Sequence, residues 1–171
     1  IKNHNIPKIL VPIGVDLGSQ ETLNQQIDRT SIGYVGRLDN DIGMELVIEA
    51  FQQAVNKVPN AKLKIIGSGP TKEKLEQQVQ ALGLENNVHF LGFIGDREKV
   101  RVILSNCAIS IAPYIIGSDT SMQYADSAKA KEYIQYGTPI IITKVPEIAF
   151  EIEEEGAGFA VNYNKSEIAE A

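Results

Sequence analysis

Short runs of β-branched and aliphatic residues alternate along the chain with stretches in which apolar residues return every three or four positions. The runs fall at about Ser31–Arg37, Lys62–Gly67, Val88–Phe93, Ala108–Pro113, Pro139–Thr143 and Gly158–Tyr163. Their length and composition predict strands. After Gly43, residues Met44, Val47, Phe51, Ala54 and Val58 fall on one helical face. A second helix is predicted from Pro70, at the first helical position, to Leu82, with Gly83 as its left-handed stop. A third runs from about Arg97 to Asn106 and turns Val100, Ile103, Leu104 and Cys107 inward. Strict alternation of strand and helix predicts an α/β fold, a doubly wound parallel sheet of about six strands with helices on both faces.

In such sheets ligands bind beyond the carboxyl ends of the strands, near helix N-termini. The loops to search are Gly36–Gly43, Gly67–Pro70, Gly92–Asp96, Tyr114–Ser127 and Lys144–Glu147. One helix start stands out. Asp126 or Ser127 is a suitable N-cap for a helix that ends at Tyr136, before Gly137 and Pro139. Lys129 then sits in the first turns, where the helix dipole disfavours a cation by a few tenths to about 1 kcal/mol. A bound anion would offset that cost. Glu132, three residues on, shares the face of Lys129. Backbone N–H groups with a lysine make a phosphate site, and a carboxylate one turn deeper can accept from the vicinal hydroxyls of a ribose. The plainer alternative is a surface Lys–Glu pair. Arg37 ends the first sheet strand on the same rim, where a guanidinium can hold a diphosphate bidentately or pair with Asp39 or Asp41. The Gly67-Ser68-Gly69-Pro70 turn reads as mainly structural. It also fails the dinucleotide fingerprint, because Lys72 stands where that pattern needs glycine or alanine.

Composition narrows the function classes. A chain of 171 residues with 43% apolar content fits one domain of ordinary size. The net charge of −6, with basic and acidic residues interspersed, gives no support to nucleic acid as a partner. No apolar run approaches the roughly 18–20 residues that cross a bilayer. The single cysteine can form no internal disulfide and favours a reducing, cytoplasmic setting. Residues 1–20 read as an interdomain linker remnant and 21–171 as a C-terminal domain. The expectation is a piece of a longer protein.

Taken together, the blocks "GYVGRLDNDIGMELVIEAF", "PNAKLKIIGSGPTKEKLE", "VHFLGF" and "SAKAKEYIQYGTPII" resemble the nucleotide-sugar-binding half of the retaining glycosyltransferases with two Rossmann-like domains, the glycosyl transferases group 1 family. The resemblance covers about Val11 to the end, and "VPIGVDL" is similar to the linker that joins the two halves. It implies a single Rossmann-like domain, one half of a GT-B architecture, whose donor is a nucleoside diphosphate sugar. Arg37 would hold the diphosphate, with Ser127 and Lys129 at the phosphate-facing helix start. Glu132 would bind the ribose, and Ile94 would lie where backbone groups meet the base. Arg37 and Lys129 would also be catalytic. Neither a cofactor nor a metal is implied. The missing N-terminal domain would bind the unknown acceptor and could bring peripheral membrane association.

Two positions depart from the family pattern. Tyr124 stands where the first of a pair of glutamates is expected, and Ile42 where members often carry lysine. A nucleotide-sugar epimerase of similar architecture and a degenerate, non-catalytic binding domain therefore stay open. A phosphorylation-receiver module lacks the acidic cluster it needs. His4 and His89, Tyr133 and Tyr136, and the acidic run Glu151–Glu155 read as linker, packing and solvated positions. The long loop from Tyr114 suggests a ligand-covering segment.

Overall fold

Ile140, Ile141 and Ile142 face two cores in turn. Ile141 joins a buried cluster with Val47, Phe51, Leu63, Ile65 and Ile168, whereas Ile140 and Ile142 join one with Leu104, Ala130, Tyr133 and Ile152. Alternation of side chains along a strand buried on both sides produces this split, and explains why the run is apolar without a break. The computed structural model describes residues 27–115 and 127–171. Within them, β1 (Asp28–Val35), β2 (Lys62–Ile66), β3 (Val88–Gly92), β4 (Cys107–Ala112), β5 (Ile140–Thr143) and β6 (Gly158–Val161) form one six-stranded sheet. Every pairing is parallel and the order is β3-β2-β1-β4-β5-β6.

The connecting helices divide between the faces. Side chains of α1 (Met44–Lys57), α2 (Lys72–Ala81) and α6 (Lys165–Glu170) pack in the first cluster. Those of α3 (Arg97–Ser105), α4 (Ala128–Gln135) and α5 (Ile148–Glu154) pack in the second. The fold class expected from the alternation is the one observed. Strand order reverses between β1 and β4, which places the switch point of the sheet beside the carboxyl end of β1.

Several local expectations change. Cys107 does not continue a helix. The helix stops at Ser105 and Cys107 opens β4, buried, with its thiol donating to the Ile103 carbonyl at 3.3 Å. Burial pushes that thiol's pKa up. Pro70 precedes the second helix, whose N-cap position is held by Thr71 without a side-chain hydrogen bond. The acidic run is the solvent side of α5, a helix that buries Ala149 and Ile152. Among the described residues, no helix is long and apolar enough to cross a membrane. The linker remnant, His4, Tyr124 and most of the long loop after Tyr114 lie outside the described residues.

Candidate functional site

Two loops interlock at the carboxyl ends of β1 and β2. The Gly36 amide donates to the Ile66 carbonyl at 3.0 Å, the Leu38 amide to Ser68 at 3.0 Å, and the Thr71 amide to Leu38 at 3.1 Å. The approach is so close that a Cβ on Gly67 would lie 1.9 Å from the Gly36 carbonyl oxygen, and one on Gly69 would lie 2.2 Å from that of Leu38. Gly67 also has φ +142°, a conformation L side chains rarely adopt. The expected steric role of this turn is visible here, and its backbone also forms the floor of a cleft.

That cleft has a volume of about 460 Å³ and is lined by residues 35–37, 66–69, 93 and 94. Arg37 and Ile94 are therefore on its wall. Arg37 is exposed, and its Nε pairs with Asp39, the partner foreseen in the plainer reading of this arginine. Such an exposed pair contributes roughly 0–1 kcal/mol and leaves the guanidinium cheap to redirect. Phe93 was missed by the sequence reading. It is 79% exposed, beside Ile94 on the loop after β3. The available signal was an aromatic just beyond the glycine that ends a strand, at the carboxyl edge of the sheet.

Lys129 approaches from α4. Its Nζ lies 3.5 Å from the Tyr34 hydroxyl and would lie 3.2 Å from a Cβ on Gly36. It sits over the Tyr34 ring, 4.7 Å from the centroid, and 5.3 Å from that of Tyr114. Lys129 is half-buried as a residue, with its ammonium end the more enclosed, and burial pulls its pKa down to about 8, opposed by the charge of Asp41. Ser127 is buried, and its Oγ caps α4 by accepting from the Ala130 amide at 3.0 Å while bonding the Tyr114 hydroxyl at 2.6 Å. Its hydroxyl is thus committed to the helix start. Glu132 Oε1 accepts from the Tyr136 hydroxyl at 2.7 Å, and Glu132 is not among the residues lining the cleft. Burial, followed by this hydrogen bond, drives the Tyr136 pKa up.

Of the residues singled out in the sequence, Arg37 and Ile94 line the cleft. Lys129 is not among the lining residues but brings its ammonium close to Gly36, which is, while Ser127 sits beneath the helix start and Glu132 a turn away. Among the described residues, no group of three His, Cys, Asp or Glu side chains gathers as a metal site would require. An open cleft with a backbone floor, lined by one exposed aromatic and by Arg37, with the Lys129 ammonium close to Gly36 at its edge, suits an anionic, planar-ringed ligand.

A family model described as glycosyl transferases group 1 matches residues 29–171. The chain belongs to the glycosyl transferases group 1 family. An uncharacterized glycosyltransferase of Methanocaldococcus jannaschii, MJ1607, is 28% identical over 142 residues, 83% of this group 1 chain and 34% of the relative. A GDP-mannose-dependent alpha-(1-6)-phosphatidylinositol dimannoside mannosyltransferase of Mycobacterium tuberculosis is 27% identical over 163 residues, 90% of this chain and 40% of that protein. The chain therefore spans between about a third and two fifths of the length of these two relatives. Among solved structures, a TarM variant from S. aureus in complex with fondaparinux, alpha-GlcNAc-glycerol and UDP superposes with a TM-score of 0.74 at 18% identity, covering 98% of this chain and 32% of TarM. At that identity the match is one of fold, the Rossmann-like half of a GT-B architecture.

Proposed function

We propose that this group 1 domain is the nucleotide-sugar-binding half of a retaining glycosyltransferase. It would take a sugar, a hexose by expectation, from a nucleoside diphosphate donor and present it to an acceptor held by an N-terminal domain. The observation that carries this reading is the junction at Gly36. There the backbone carbonyl of Arg37 and the ammonium of Lys129, remote in sequence, share the Tyr34 hydroxyl beside a glycine-floored cleft whose wall carries the Arg37 side chain. The donor class also draws support from a relative described as GDP-mannose-dependent and from a neighbour of like fold crystallised with UDP.

In the proposed reaction the bond from the anomeric carbon to the diphosphate oxygen breaks with its electron pair on that oxygen. The acceptor oxygen takes the carbon on the same face, and its proton passes to the departing diphosphate oxygen. Negative charge on the diphosphate is larger in the transition state than in the bound donor, so preorganised cations favour the former. Arg37, Lys129 and the N–H groups at the start of α4 would supply that stabilisation, with no metal or cofactor called for. A binding-only role has one observation in its favour. Ile42, where the family resemblance leads to the expectation of a lysine, packs against the first core cluster.

Calorimetric titration of the chain with UDP, GDP and ADP tests the reading. Saturable binding of at least one is expected, and Glu132→Ala should weaken it several-fold without changing the circular dichroism spectrum. Failure to bind any of the three would remove the proposal. Phe93 gives a second expectation. Stacking of a base on an aromatic is worth about 1–3 kcal/mol, so Phe93→Ala should raise Kd by about 5- to 150-fold. The loss should be as large for the nucleoside as for the diphosphate, because it concerns the base. An undiminished nucleoside affinity would place the base elsewhere.

A further inference from the structure

We propose that Tyr34 is a positioning residue whose hydroxyl, shared between the Arg37 backbone and the Lys129 ammonium, sets both cations toward the donor's diphosphate. The inference rests on the reading of the site given above and gives a role of its own to the tyrosine that this reading uses only as a point of contact.

Tyr34 is completely buried at the end of β1, where a phenylalanine would fill the same space. Its hydroxyl donates to the Arg37 carbonyl at 2.9 Å. That bond uses its only proton, so toward Lys129, at 3.5 Å, the oxygen can act only as an acceptor. The pattern is complementary to an ammonium, which offers donors alone. The ring adds to this, because Nζ lies over its face. The Arg37 contact is equally specific, since it fixes the backbone of the one exposed residue between buried Tyr34 and buried Leu38.

The surroundings hold this arrangement rigid. The Tyr133 hydroxyl accepts from the Val35 amide at 2.9 Å and approaches the Ile111 carbonyl at 3.3 Å, tying α4 to the ends of β1 and β4. Tyr114 closes the other side of the ammonium and is bonded to the cap of the helix that carries Lys129. The groups around the ammonium are Tyr34 on β1, Tyr114 after β4, and Asp41 on the loop before α1. On its own helix, Lys131 and Glu132 are the charged neighbours. Burial and the nearby Tyr114, Asp39 and Asp41 push the Tyr34 hydroxyl's pKa up, so it stays protonated and keeps its donor for Arg37.

Tyr34→Phe removes the hydroxyl alone. The test follows the titration of Lys129 by carbon-13 NMR of its Cε in the ligand-free chain, beside the Kd for UDP. Loss of the acceptor should lower the Lys129 midpoint by about half a pH unit or more, because the charged form loses a partner. UDP affinity should fall about tenfold. In a Lys129→Met background the same substitution should cost clearly less, since part of its effect runs through the ammonium. A purely structural tyrosine would move neither the midpoint nor the coupling. If Tyr34→Phe fails to fold, 3-fluorotyrosine placed at position 34 keeps the ring and weakens the acceptor, with the same expected direction. An unmoved Lys129 midpoint overturns the proposal, whether or not UDP binds. Absence of UDP binding with a shifted midpoint would instead strike the functional reading and leave the positioning role standing.

Discussion

Lys129→Met raises the stability of the chain at pH 7 while removing most of its affinity for nucleoside diphosphates. The gain comes from desolvation. Burial pulls the Lys129 pKa from 10.5 to about 8, which means that the fold disfavours the charged form. That fall corresponds to at most about 3 kcal/mol, and solvent reaching the half-buried side chain reduces it to about 1–2 kcal/mol. Below about pH 8 both folded and unfolded chains carry the proton, so the full cost is present. Between about 8 and 10.5 the unfolded chain keeps its proton while the folded chain releases it, so stability climbs with pH. Methionine keeps the unbranched stem and carries no charge. Calorimetric melting at pH 7 should therefore show the variant about 3–6 °C above the native chain. The difference should shrink steadily toward pH 10.5. Over the same range the native chain should lose diphosphate affinity, and the variant should lack about 2–4 kcal/mol of it at pH 7. A variant that melts lower than the native chain at pH 7 would show that the ammonium is well solvated. Unchanged UDP affinity would separate Lys129 from the phosphate site. Stability given up at a binding site is a common trade, and a lysine in the first turns of a helix between two tyrosine rings fits it.

Gly67→Ala should be the most damaging single methyl addition in the cleft. The new carbon would sit 1.9 Å from the Gly36 carbonyl oxygen, against backbone that cannot turn aside as a side chain would. The conformation adds its own penalty at φ +142°. Overpacking and backbone strain together predict a loss of about 3–5 kcal/mol. Relief is only available by parting the two loops. That movement would break the bonds from Gly36 to Ile66 and from Leu38 to Ser68, and so displace Arg37. Chemical denaturation should read the lost stability, and any protein that still folds should bind nucleoside diphosphates at least tenfold more weakly. Gly83→Ala is the control, since nothing lies within 4 Å of a Cβ there and only the φ of +68° is strained. Equal stability losses at the two positions would mean that the loops have room to part.

Much of the architecture was legible because it follows from local chemistry. Strand positions were found to within a few residues, since a run such as Ile140–Thr143 has one stable solution once both faces of a sheet are covered. Helix starts were readable where a side chain makes the cap, as Ser127 does for α4. They were misread where the signal was ambiguous, as at Pro70, or where strand and helix abut, as at Cys107.

The site was legible in part. Arg37, Ile94 and Lys129 could be singled out from chain position and from resemblance to a family, and the first two line the cleft. Glu132 shares a helix with Lys129, and three-residue spacing put both on one face. Spacing along a helix says nothing about which neighbouring strand each side chain meets, and the carboxylate turns to Tyr136. Tyr34 escaped for the same reason, because its importance lies in contacts with segments distant in sequence. Phe93 carried a local signal, an aromatic just past the glycine that ends β3, but only the fold shows that this position lines the cleft.

The amino-acid order alone determined the alternation of strand and helix, the parallel sheet and the loops at the carboxyl ends of its strands, because periodicity and capping act over a few residues. Only the tertiary structure decided that the Tyr34 hydroxyl joins Arg37 to Lys129, that two glycine turns share one floor, and that Phe93 stands over it. Those arrangements depend on strand order and on backbone approach within a few ångströms, which a linear pattern does not encode.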